Sequence, residues 1–186
     1  VPSIVDYRDL WSNGISMADK PMFRKWLSIF EKKVLKKTTA LVTVSEFLVM
    51  KIHEIQPVEK NVVLRNGYDE KIFDKISNIP QNNEFLSIGF VGSIYEWHPI
   101  ESFMKVVLSF LNENKGIPFR LNFYGVHDLS NTLKEIVEAN QVLKDVVHFY
   151  PRMSNEEVLI KLKENNVLLL FNYYCFLGTK IFDYLA

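Results

Sequence analysis

Short apolar runs alternate with longer segments of helical period along the whole chain, the pattern of βα units feeding a parallel sheet. Strands are expected over Ser3–Asp6, Ala40–Val44, Val62–Leu64, Leu86–Val91, Arg120–Tyr124, Val146–Phe149 and Val167–Phe171. Helices are expected over Pro21–Lys37, Glu46–Ile55, Pro99–Asn112, Leu129–Ala139 and Asn155–Glu164, with a last one beginning near Gly178. Ser154 and Glu157 have the spacing of a capping box. In the 21–37 helix, Phe23, Trp26, Leu27, Phe30 and Val34 line one side, and Arg24, Lys25, Lys32, Lys33, Lys36 and Lys37 the other. Such a helix docks its apolar stripe on its own sheet and leaves the lysines in solvent, or it lies on an anionic membrane surface. The first is the commoner outcome, and the basic face stays available to a membrane in either case.

One segment breaks the rhythm. Asp74–Glu84 contains Ser77-Asn78-Ile79-Pro80-Gln81-Asn82-Asn83, polar and without period, so residues 76–84 read as a linker. It separates residues 1–75, too few to complete a doubly wound sheet, from a second domain over residues 85–186. The chain begins at Val1 with neither Met nor signal peptide and stops at Tyr184-Leu185-Ala186 inside an expected helix. A piece of a longer protein is therefore expected, with both domains incomplete.

Composition narrows the partners. With 48% apolar and 13% aromatic residues, and 22 Lys+Arg against 22 Asp+Glu, the 186-residue chain is globular in character. No apolar run nears the roughly 20 residues of a membrane span. One cysteine, Cys175, permits no internal disulfide or Cys-based zinc site, so no metal is expected and a reducing, cytoplasmic compartment is the default. Zero net charge lacks the basic excess of a nucleic-acid binder. Small molecules and proteins remain.

Two segments could carry chemistry. Ile88-Gly89-Phe90-Val91-Gly92-Ser93-Ile94-Tyr95 is an apolar strand ending in Gly-Ser, followed by a helix from His98-Pro99. Ligands of open α/β sheets sit at strand carboxyl ends, where helix N-termini attract phosphate. Gly92 serves a ligand there, or is a plain turn. In Cys175-Phe176-Leu177-Gly178-Thr179-Lys180-Ile181-Phe182-Asp183 a Gly-containing loop again opens a helix. Gly178, Thr179 and Lys180 could present N–H groups and one cation to an anion, and Asp183 could accept from hydroxyls; a solvated first turn is the alternative. Asp6 or Asp9 could act on a sugar hydroxyl or pair with Arg8. His53, His127 and His148 read as surface or satisfied core residues, and Ser45 lacks a His/Asp partner. No catalytic residue can be assigned.

In this order the motifs resemble the retaining GT-B glycosyltransferases of glycosyltransferase family 4, from the end of the acceptor domain through most of the donor domain. Val62-Val63-Leu64-Arg65-Asn66-Gly67-Tyr68-Asp69 with Phe73 is similar to the family's inter-domain Asn-Gly-X-Asp signature. Glu31 followed by Ala40-Leu41-Val42-Thr43-Val44-Ser45 resembles its helix Glu and strand ending in Val-Ser. Asp6-Tyr7-Arg8-Asp9-Leu10-Trp11 resembles a segment of members that build surface polysaccharides.

The resemblance implies an α/β protein of GT-B type, with two Rossmann-like doubly wound parallel-sheet domains, both incomplete in this chain. It implies transfer of a sugar from a nucleotide-sugar donor to a glycan or lipid-linked acceptor, in bacterial surface polysaccharide biosynthesis, with no metal or other cofactor. Localisation would be cytoplasmic and peripheral at the inner membrane face, through the 21–37 helix. Gly92, Ser93, His98, Gly178, Thr179 and Lys180 fall to the donor diphosphate, Asp183 to the ribose, and Arg152 and Met153 beside the base. Ser93 and His98 replace the family's Arg and Lys, and Cys175 stands where its first late acid would be. Those departures leave a non-catalytic nucleotide-sugar-binding or scaffold module as the rival reading. A nucleotide-sugar epimerase of the same shape is disfavoured, because the acid/base cluster it needs is not found.

Overall fold

The computed structural model describes residues 2–14, 20–127, 131–172 and 179–185. The chain divides at Gly67–Tyr68 into two compact units. The helix after that point and the 76–84 stretch both group with the second unit, and Thr179 groups with the first.

In the first unit, β1 (Ile4–Tyr7), β2 (Ala40–Thr43) and β3 (Lys60–Val63) form a parallel sheet in the order β1-β2-β3. Helices α1 (Pro21–Leu35) and α2 (Glu46–His53) make the crossovers. Ser45 caps α2 by accepting from Leu48 N–H at 3.2 Å. Leu35, Leu41, Val44, Leu48, Ile52 and Val58 form its core.

Here α1 departs from the sequence reading. The buried seam is Leu27, Glu31 and Leu35, spaced i, i+4, i+8, whereas Phe23, Trp26, Phe30 and Val34 of the expected docked stripe are exposed. The cause is Glu31, 1% exposed. Its carboxylate accepts from the Tyr7 hydroxyl and, at 3.0 Å, from Ser12 N–H. A buried carboxylate must find such donors, and reaching them turns the helix away from its apolar ridge.

In the second unit, β4 (Leu86–Val91), β5 (Phe119–Tyr124), β6 (Val147–Tyr150) and β7 (Val167–Leu168) form a parallel sheet in the order β6-β5-β4-β7. One face carries Phe90, Leu121, Phe123 and Val147 under α4 (Ile100–Glu113), α5 (Thr132–Glu138) and α6 (Gln141–Val146). Each such buried large side chain stabilises by about 2–3 kcal/mol. The opposite face is covered by α3 (Glu70–Ile76), α7 (Asn155–Lys163) and α8 (Lys180–Leu185) around Ile76, Tyr124, Leu159 and Leu162. This second layer is partly polar. Buried Asn122 donates to Asn165 Oδ1 at 2.8 Å, and Asn165 donates to the Tyr124 hydroxyl at 3.0 Å.

Helices α3 and α6 go beyond the elements that periodicity predicts. Asp69 of the Asn-Gly-X-Asp motif caps α3, accepting from Lys71 N–H at 3.0 Å, and Asn140 caps α6 through Val142 and Leu143 N–H. Residues 76–84 are irregular beyond Ile76 and are pinned, with Asn82 N–H donating to Glu164 O at 3.0 Å. Ser154 and Glu157 close the expected capping box. Among the described residues no helix is long and apolar enough to cross a membrane.

Candidate functional site

The order β6-β5-β4-β7 fixes where a ligand would sit. The chain adds β5 and β6 on one side of β4, then returns to lay β7 on the other. In such sheets the carboxyl end of the strand at the reversal opens a crevice, because the connections leave it in opposite directions. Here that strand is β4, and the residues beyond it are Gly92 and Ser93.

Gly92 has φ +99°, a backbone region costly to any residue with a Cβ. A Cβ built there would lie 2.6 Å from Lys180 Nζ. The first residue of α8 thus lays its ammonium on the β4 turn, with Nζ 4.9 Å from the centre of the Phe90 ring. Among the described residues Lys180 makes no ion pair. Burial holds its pKa below the usual lysine value.

His98 completes this cluster. Its Nδ1 accepts from Tyr95 N–H at 3.3 Å, which leaves the neutral ring with Nε2–H as its donor. Burial, and then the charge of Lys180, lower its pKa, so the imidazole is a neutral donor. The cation of this turn is Lys180.

A cleft of about 580 Å³ opens alongside, over the carboxyl ends of β4, β5 and β6. Gly92, Ser93, Arg152 and Met153 line it, as do Tyr124, Gly125, His127 and Tyr150. Of the latter four, Tyr124 and Gly125 are not singled out by the sequence, Tyr150 opens the Tyr150-Pro151-Arg152-Met153 segment that the resemblance sets beside the base, and His127, expected as a surface or core residue, lines the cleft. Tyr124-Gly125 carries a signal, since it repeats the strand-then-glycine pattern of Val91-Gly92, and Gly125 likewise has positive φ. His127 joins only through strand order.

Asp183 lies on α8 one turn beyond Lys180, half-buried, with its carboxyl pushed up by burial. Tyr184 beside it is pushed up to about 12 by burial. Thr179 is exposed. Gly178 and Cys175 lie outside the described residues. In the first unit, Arg8 pairs with Asp6 at 2.9 Å and donates to Asn66 at 3.3 Å, so Asp6 is engaged as a structural pair. His53 contacts Asn61 at 3.0 Å.

The second unit, with its strand order and carboxyl-end crevice, is a Rossmann-like domain of the doubly wound class. The chain as a whole is similar in fold to a solved structure of a point mutant of S. aureus TarM, a GT-B glycosyltransferase, in complex with Fondaparinux, alpha-GlcNAc-glycerol and UDP. The likeness has a TM-score of 0.56 at 13% identity, over 77% of this chain and 26% of that one. At that identity it is a likeness of fold, and the chain spans about a quarter of that structure's length. No protein-family model and no curated protein matches the chain.

Proposed function

We infer that this chain belongs to a retaining glycosyltransferase of the family 4 type, and that its second unit binds the nucleotide-sugar donor. The observation that carries the reading is Lys180, an ammonium drawn partly out of water against Gly92 at the sheet's crevice and left without a carboxylate among the described residues. Such a cation is satisfied by an anion, and a diphosphate supplies about two to three charges at the height of the β4 turn. The cleft of about 580 Å³ beside it is of the size that small-molecule sites occupy. The neighbouring fold crystallised with UDP supports the same assignment.

In this reading Lys180 and the Nε2–H of His98 meet the diphosphate, and Gly92 and Ser93 let it approach the backbone. Negative charge grows on the diphosphate as the glycosidic bond to it breaks. A preorganised ammonium and a neutral donor stabilise that charge without a metal. Asp183 accepts from the ribose hydroxyls, which would bring its raised pKa back down, and Arg152 and Met153 border the base. Gly178 and Thr179 are assigned to the same diphosphate. The sugar passes to a glycan or lipid-linked acceptor in building a surface polysaccharide.

The enzyme would work at the cytoplasmic face of the inner membrane. Met22, Phe23, Trp26, Ile29, Phe30 and Val34 of α1 are all exposed, and the only acid between Lys20 and Lys37 is buried Glu31. An apolar ridge flanked by lysines suits an anionic bilayer.

Calorimetric titration with UDP, GDP and ADP tests the donor site. Saturable binding of one nucleotide, weakened in Lys180→Met and Asp183→Ala, supports it. A folded chain that binds none of them favours the scaffold reading.

A further inference from the structure

The loop between β4 and α4 carries a feature that the donor site does not use. The rings of Tyr95 and Trp97 stack in parallel, with centroids 4.6 Å apart and planes 3° apart. Both residues are 37% exposed, although stacked aromatic pairs normally bury their faces. The pair is rigidly held. His98 sits edge-on to both rings at 84°, its backbone N–H donates to Tyr95 O at 2.9 Å, and its ring packs on Phe171 at 5.1 Å. Phe171 in turn packs on core Phe90 at 5.5 Å.

Beside the stack is a hollow of about 550 Å³. Its charged lining residues are Glu96 and Glu101, joined by the hydroxyl of Ser102 and by Tyr95. His98 lines it too, and among the described residues neither lysine nor arginine does, so the charged groups of the lining itself are the two carboxylates, which disfavour an anion. Carboxylates accept from hydroxyls, and a flat aromatic face takes up apolar C–H surface. A ligand that needs both at once is neutral, rich in hydroxyls and apolar on its ring faces.

We propose that the Tyr95–Trp97 stack, with Glu96 and Glu101, is a binding platform for a neutral pyranose ring of a glycan. The role of that glycan as acceptor rests on the donor-site reading; the binding itself does not. A ring laid on the exposed aromatic face would turn its hydroxyls toward the two carboxylates, within one loop of the turn at Gly92.

Saturation-transfer NMR on the whole chain tests this without nucleotide, using chitotetraose, cellotetraose and maltotetraose as probes. Saturation should pass from aromatic protons to the axial ring protons of at least one tetrasaccharide. Trp97→Ala and Tyr95→Ala should each weaken that binding by about tenfold or more, and Trp97→Phe by no more than about threefold. UDP affinity should be unchanged in Trp97→Phe, which keeps a ring against His98, with circular dichroism confirming the fold of all three variants. No transfer to any of the three sugars overturns the platform, as does binding that survives both alanine variants. Loss of UDP binding in Trp97→Phe also overturns it, by returning the stack to the nucleotide. Sugar binding by a chain that takes no nucleotide leaves the platform standing and removes the donor reading instead.

Discussion

Glu31 and Lys180 are both charged side chains taken out of water, and they are housed in opposite ways. Glu31, in the first unit, has a hydroxyl and a backbone N–H on its two oxygens. Lys180, in the second, rests on a ring face and a glycine, with no carboxylate among the described residues. Under the proposed function, the difference separates a charge that holds a fold from a charge kept for a ligand. A saturated carboxylate can only lose by being disturbed, whereas an unsaturated ammonium weakens its own fold slightly and gains when an anion arrives.

The sharpest break of this comparison is in stability. Glu31→Ala should lower unfolding free energy by about 3 kcal/mol, because it orphans the Tyr7 hydroxyl and Ser12 N–H together. Denaturant melts would check this, and a loss under about 1 kcal/mol would deny the anchoring role. Lys180→Met should do the reverse, holding or raising stability while weakening nucleoside diphosphate binding by about 30-fold, the worth of a charge-assisted contact. A clear drop in melting temperature would make Lys180 structural. Gly92→Ala should cost about 1–2 kcal/mol through its positive φ and displace the Lys180 side chain, weakening UDP as well; unchanged UDP affinity would detach the turn from the site.

The smallest effect is a pH dependence. Lys180 has a folded pKa below its unfolded one. Below the folded value both states hold the proton and the burial cost is fully present. As pH rises through it, the unfolded chain holds more protons than the folded one, so stability rises. Wild type should therefore gain on Lys180→Met in alkali, while UDP affinity falls over the same range. Equal pH profiles for the two proteins would remove the linkage.

Five of the seven strands were legible to within a residue, because β1, β2, β4, β5 and β6 are mostly apolar runs bounded by polar turns; β3 opens on the polar Lys60-Asn61, which hid its start, and β7 pairs only over Val167–Leu168 although the apolar run continues to Phe171. The helices α3 and α6 were not, because seven and six residues are too few to show a 3.6-residue period. Their capping residues Asp69 and Asn140 were the only local signal. The buried side of α1 was illegible for another reason: apolar periodicity assumes that acids face water, and Glu31 does not. At the site, Gly92 could be read from a strand that ends in glycine. The neighbour His127 depends on strand order, which no local pattern encodes, and so does the contact of Lys180 with Gly92, 88 positions away in the chain (180 less 92).

The burial of Lys180 also gives it a chemical personality. An amine whose pKa is depressed spends more of its time unprotonated at neutral pH, and only that form attacks electrophiles. An acylating or sulfonylating reagent should mark Lys180 more readily as pH rises, and a nucleoside diphosphate should shield it. If the proposed donor site is right, a single peptide mass, gained or lost, would then read occupancy of the crevice without any activity assay.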